Sequence, residues 1–250
     1  MSHFYSVDYP RPVLLPDVTT PAQARRHPDV VYPSVTTVLG VLKDPFLDEV
    51  WRPQHTARLA RENPDLSWQD VQSLLFGMVT HPTNGTPIKS SEFGTGVHQC
   101  IEYCLENGDK AVPDHLEPYL PWAQPWLIHV KRNGIDTIAT ERIVWSDVYQ
   151  IAGSVDYIGI EDGMYFLADY KCRSNCKGKA KVYPKDCQQL AIEAIMLRDE
   201  LGLDYVPRCI TICIDIDTLV HYHHEWTLPE IQSAADIASL CAKLYHATRM

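Results

Sequence analysis

The sequence predicts a mixed α/β fold, one central sheet with helices packed around it. Three observations carry this. Patterns of helical period fill the first half, a run of three strand patterns follows, and a helix, two strands and a last helix close the chain, an order that suits a mixed sheet. Asp162-Gly163, set between apolar-alternating runs, is a two-residue hairpin signal joining two of those strands. Finally, 250 residues at 45% hydrophobic and 22% charged are enough for one sizeable core of ordinary soluble composition.

Residues 1–33 are Pro-rich with little periodicity and read as an extended arm over the surface. Pro33-Ser34 opens a helical stretch, Val35 to Leu42, stopped by Asp44-Pro45. Helical patterns follow at about 45–62 and 67–79, with Ser67 as N-cap of the second, and His81 to Lys89, with two prolines and a glycine, is a loop. The next helix, roughly 92–106, lines Phe93, Val97, Ile101, Cys104 and Leu105 along one stripe, with Gly94, His98 and Glu102 on a neighbouring face. Residues 116–133 are helical despite Pro121 and Pro125. Strands are expected at 136–145, 149–160, 164–171, 206–216 and 219–226. A helix runs from about 185 to 201, closed by Gly202, and the last begins at the capping box Thr227-Leu228-Pro229-Glu230. The expected domains are 1–90, an N-terminal arm and helical extension, and 91–250, the core.

The hairpin carries the chemistry. With Asp162-Gly163 as its loop, Glu161 pairs with Met164, and counting outward sets Asp156 opposite Asp169. Two carboxylates facing each other across a strand pair repel, and a divalent cation turns them into a ligand set. Lys171, two residues beyond Asp169, shares its face.

The net charge of −10 argues against indiscriminate polyanion binding, but charge is unevenly placed. From Lys171 to Lys185 every charged residue is basic: Lys171, Arg173, Lys177, Lys179, Lys181 and Lys185. A basic loop leaving the carboxylate strand is placed to hold a phosphate backbone. No apolar run approaches a membrane span, and the N-terminus lacks a signal-peptide pattern, so a cytoplasmic protein without membrane partners is expected. Eight cysteines in that setting read as reduced thiols packed in the core.

Taken together, Gly94-Thr95-Gly96-Val97-His98, Gly153-Ser154-Val155-Asp156, Asp169-Tyr170-Lys171 and Gln189-Leu190-Ala191, in this order, resemble the PD-(D/E)XK nuclease superfamily, in its RecB-like exonuclease branch. Tyr32-Pro33-Ser34-Val35-Thr36-Thr37-Val38-Leu39 also resembles the opening segment of the mitochondrial genome maintenance exonuclease and its phage relatives. The resemblance spans about Pro33 to Trp226 and implies a restriction-endonuclease-like mixed sheet with an N-terminal helical extension.

It also implies roles. Asp156 and Asp169 would ligate the catalytic ions, with the Tyr170 carbonyl adding an oxygen and His98 completing the set. Lys171 would orient the attacking water and steady the charged transition state, and Gln189 would position Lys171, the nucleophile or the scissile strand. Phosphodiester hydrolysis needs an activated water and charge stabilisation on attacking and leaving oxygens, which two Mg²⁺ or Mn²⁺ ions supply.

The chain departs from the branch pattern at Glu193, where relatives often carry Tyr; it is either a substitute or a surface charge. Both Gln188 and Gln189 are candidates for the glutamine position, and the following Leu-Ala favours Gln189. Glu141 is either a group near the ions or a strand-edge charge paired with Arg142 or a lysine, and Glu102 is a possible supporting carboxylate. The cysteines do not match the spacing of the branch's iron–sulfur cluster, and Trp122 and Trp126 read as core.

The expected function is therefore a metal-dependent DNA exonuclease acting on single strands or strand ends. The alternatives are a structure-specific or restriction-type endonuclease, or a catalytically silent nucleic-acid-binding or inhibitor protein on the same fold.

Overall fold

The computed structural model describes residues 3–8, 12–27, 30–42, 58, 61–62, 64–65, 67, 78–108 and 110–249. The chain forms two compact units, one of residues 1–42 and 128–250 and one of residues 43–127.

The N-terminal arm is more structured than its composition suggests. β1 (Phe4–Ser6) lies between β2 (Val13–Leu14) and β3 (Val31–Pro33) in an antiparallel sheet, and all three β1 residues are buried. Backbone pairing settles this chain where side-chain periodicity is too short to read. The intervening α1 (Pro21–Ala24) starts at a capping box in which Thr20 accepts from the Gln23 N–H. Next, Ser34 caps α2 (Val35–Leu39), which buries Val35, Val38 and Leu39 and ends at Gly40, earlier than the expected Leu42.

The helices expected at 45–62 and 67–79 fall almost wholly outside the described residues. At the end of the second, the chain is instead strand β4 (Met78–Thr80), paired antiparallel with β5 (Pro87–Lys89). The segment 81–89 is therefore a turn plus a strand, with Gly85 at φ 70° in the turn. α3 (Ser90–Asn107) buries Phe93, Val97 and Ile101 as its stripe requires. A Cβ on Gly96 would collide with the Tyr119 ring, so glycine permits that approach. A 3₁₀ turn (Glu117–Tyr119) leads into α4 (Leu120–Asn133), in which Trp126 is fully buried and Trp122 meets Phe93 edge to face at 5.0 Å.

The central sheet is β6 (Asp136–Ser146), β7 (Ile151–Glu161), β8 (Met164–Arg173), β9 (Arg208–Asp215) and β10 (His221–Trp226), in the order β10-β9-β8-β7-β6. Only β8 and β9 run parallel, because α5 (Pro184–Leu201) supplies the crossover between them. The sheet is thus mixed, as expected. α5 packs on the sheet and against α6 (Leu228–Arg249), and Ile158, Leu167, Leu190, Ala194, Cys209 and Ala238 belong to the core they enclose. Tyr157 and Phe166 are buried on the other sheet face, their rings 5.6 Å apart. None of the described helices is long and apolar enough to cross a membrane.

Candidate functional site

The β7–β8 hairpin has the register counted from its turn. Glu161 pairs with Met164, and the ladder runs back to Tyr157 opposite Ala168. One step further, Asp156 faces Asp169; there the Tyr170 N–H donates to Asp156 Oδ2 at 2.8 Å, a side chain standing in where the backbone ladder has ended. On the other side of β7, Thr140 pairs with Tyr157 and Arg142 with Val155, which sets Glu141 opposite Asp156. Oxygens of Glu141 and Asp156 come within 4.8 Å of each other. Three adjacent strands thus contribute one carboxylate each to a row that runs from buried Asp169 through half-buried Asp156 to exposed Glu141.

Glu141 adopts φ 46°, a left-handed conformation that costs a non-glycine residue about 1 kcal/mol or more. Its carboxylate accepts from Ser154 Oγ at 2.9 Å, while Arg142 pairs with Glu200. The expected alternative partner, Arg142, is therefore engaged elsewhere.

Lys171 stands on Asp169. Its Nζ donates to Asp169 Oδ1 at 2.6 Å and reaches Gln189 Oε1 at 3.5 Å. Burial would lower its pKa, but Asp169 and Asp156 outweigh that and hold it above the ordinary lysine value, a charged ammonium. Gln189 in turn donates Nε2 to Glu193 Oε1 at 3.4 Å, one helical turn on. Glu193 is 2% exposed, so it is not a surface charge; burial first, then Asp169 and Asp156, push its pKa well above the usual carboxylate range. A Cβ on Gly153 would lie 3.0 Å from Glu193 Oε1 and from Val35 Cγ2, so the bare glycine is what lets both side chains approach β7. Of the two glutamines, Gln189 makes the Lys171 contact and Gln188 faces elsewhere.

His98 and Glu102 lie one turn apart on α3, in the unit of residues 43–127. Burial and Glu106 raise the Glu102 pKa, opposed by His98.

The basic residues divide in two. Arg173 closes β8 rather than entering the loop, with Nη2 2.7 Å from both Asp186 carboxylate oxygens and its guanidinium 4.3 Å above the Tyr183 ring. Lys177, Lys179 and Lys185 are exposed, and Lys181 donates to the Ser174 carbonyl at 3.3 Å. Asp186, which anchors Arg173 and accepts from the Tyr183 N–H at 2.8 Å, escaped the sequence reading. Its position at the third residue of a helix, after Pro184, is the capping signal that marks it.

What the cluster offers chemically is an all-oxygen donor set beside a fixed ammonium. Carboxylates brought this close in a partly buried row suit a hard divalent cation, and Mg²⁺ or Mn²⁺ fit such donors better than thiophilic metals do.

No family model matches the chain, and no curated protein matches it in sequence. Among solved structures, the chain is similar to a crystal structure described as a "Putative exonuclease" from Eubacterium rectale, at 12% identity and a TM-score of 0.41, over 60% of this chain and 64% of that one. It is also similar to the crystal structure of SSO0001, at 18% identity and a TM-score of 0.30, over 58% of this chain and 73% of that one. The chain thus spans less than two thirds of the first of these structures.

Proposed function

We propose that this protein is a divalent-metal-dependent DNA exonuclease that hydrolyses phosphodiester bonds of single strands or strand ends. The observation that carries the reading is the carboxylate row across β6, β7 and β8, with Lys171 held at its buried end by Asp169 and Gln189. In this proposal Asp156 and Asp169 hold Mg²⁺ or Mn²⁺, with the Tyr170 carbonyl, Glu141 and His98 as further ligands. The ions supply water activation and charge stabilisation on the attacking and leaving oxygens.

The chain's own residues do the positioning. Asp169 and Gln189 fix the Lys171 ammonium, so that it meets a phosphoryl oxygen or the attacking water from one direction. Glu193 takes the Gln189 amide N–H₂, which leaves the Gln189 carbonyl oxygen turned toward Lys171. Lys177, Lys179, Lys181 and Lys185 lead the phosphate backbone toward the carboxylates, without reading bases.

The test uses end-labelled linear and circular single-stranded DNA of one sequence, incubated with Mg²⁺, Mn²⁺ or EDTA. Linear strands should disappear with metal, circles should survive, and EDTA should protect both. Cut circles would make the protein an endonuclease. Intact DNA in every metal condition would leave the nuclease reading without support.

A further inference from the structure

A groove of about 630 Å³ opens between the start of α5, the first turns of α6 and the end of β10, and it shares no lining residue with the carboxylate row. Its walls are largely apolar, with Val182, Pro184 and Ile237 among them, and the Gln188 side chain lines it too. Gln188 is 8% exposed and its side chain makes no hydrogen bond among the described residues. Aromatic groups complete the lining. The His224 and Trp226 rings meet at 4.3 Å, Trp226 is held by its indole N–H on Thr211 Oγ1 at 3.0 Å, and Tyr183 stands exposed at the rim. A second hollow of about 790 Å³ shares Val182 and His224 with the groove and is lined by Lys179 and Lys181.

We propose that these adjacent hollows bind one nucleotide, its base in the groove and its phosphate toward Lys179 and Lys181. An apolar segment would fill the walls but leave the Gln188 amide unsatisfied, a costly arrangement. A nucleobase offers what that amide lacks, since its edge carries donors and acceptors in one plane, which a glutamine amide matches as a pair, and its faces stack on aromatic rings. The adjoining ammonium groups then ask for an anion on the same molecule.

The choice of ligand class rests on the nucleic-acid reading above. The groove is also coupled to that site by the chain. Gln188 precedes Gln189 on α5, and Thr211, which holds Trp226, is the register partner of Asp169. The same chemistry has two sources, a free nucleotide or one base of a bound strand.

The full chain in EDTA, where any metal-dependent cleavage is silent, is titrated with two probes: the 5′-monophosphate of 2-aminopurine deoxyriboside, and a single-stranded oligonucleotide carrying one internal 2-aminopurine. Stacking quenches this base, so saturable quenching is expected in at least one titration. Gln188→Leu should weaken it at least five-fold, and Ser233→Phe, which fills the groove from an exposed position, should abolish it. The nucleoside lacking phosphate should bind more weakly than the monophosphate by a similar factor, and Lys179→Gln with Lys181→Gln should erase that difference. Quenching of the free nucleotide assigns the groove to a nucleotide ligand; quenching only within the oligonucleotide assigns it to a bound strand. No saturable quenching with either probe, or quenching untouched by both groove variants with their melting temperatures intact, overturns the proposal. Cleavage assays with metal separate the two readings. Quenching without metal-dependent cleavage would sink the nuclease reading alone, and cleavage without quenching would sink the groove alone.

Discussion

Asp156 and Asp169 play matching parts in the sequence, but their surroundings differ. Asp169 is buried and paired with Lys171 at 2.6 Å, whereas Asp156 is half-buried, accepts one backbone N–H and stands opposite two other carboxylates. Asp156→Asn should therefore abolish cleavage while leaving metal-free stability equal or higher, because an amide oxygen still accepts from Tyr170 and a repulsive charge is gone. Asp169→Asn should abolish cleavage and cost roughly 1–3 kcal/mol, since it removes the hydrogen-bonded counter-charge of a partly buried ammonium and leaves the more distant Asp156 and Asp186 to offset it. Thermal melts in EDTA beside cleavage assays check the pair, and equal stability effects would contradict this division. Glu193 gives a second prediction at this scale. Its folded pKa lies above the unfolded value near 4.5, so as pH rises past 4.5 the unfolded chain releases a proton that the folded chain keeps, and stability falls until the folded value is reached. In metal-free protein, Glu193→Gln should flatten this decline and raise the melting temperature at neutral pH relative to the parent. Melts from pH 4.5 to 8 with identical slopes for both proteins would refute it.

At the scale of elements, the segment from β8 to α5 holds two kinds of basic residue that a sequence cannot separate. Arg173 is committed to Asp186 and Tyr183, and so fastens the strand end to the first turn of α5. Arg173→Ala should destabilise the fold by about 2–4 kcal/mol, leaving the Asp186 carboxylate without its main partner. Neutralising Lys177, Lys179 and Lys181 together should leave melting unchanged, weaken DNA binding about equally for all sequences, and flatten its salt dependence. Each phosphate contact contributes a slope of about −0.7 for single strands. Binding measured at several salt concentrations checks this, and an unchanged slope would move the DNA path away from the loop.

For the whole molecule, a ligand that binds only the folded chain stabilises it by mass action. Mn²⁺ or Mg²⁺ at a hundred times its dissociation constant should add about 2.7 kcal/mol to unfolding, seen as a rise in melting temperature. Because Asp156 lies between Glu141 and Asp169, Asp156→Asn should remove that rise. A rise of the same size in the variant would place the ion elsewhere. His98→Ala belongs to the same measurement, and a reduced rise is expected if its imidazole is a ligand.

The sequence by itself determined the mixed sheet, the hairpin at Asp162-Gly163 and, through its fixed two-residue period, the placing of Asp156 opposite Asp169. These are local facts, since a two-residue loop sets the register of everything beyond it. The place of Glu141 does not follow in the same way, because a longer turn, residues 147–150, joins β6 to β7 and carries no two-residue loop signal to fix their register. The strands of the N-terminal arm and the β4–β5 pair are illegible because strands of two or three residues carry too little period to read and form only when a partner strand takes their backbone groups. Tertiary structure alone decided that Glu193 is buried, that Gln189 rather than Gln188 reaches Lys171, and that Arg173 pairs with Asp186 over the Tyr183 ring. Each depends on how α5 is rotated on the sheet, and that rotation follows from the packing of its whole apolar surface against β8, β9 and α6 rather than from any single residue's spacing.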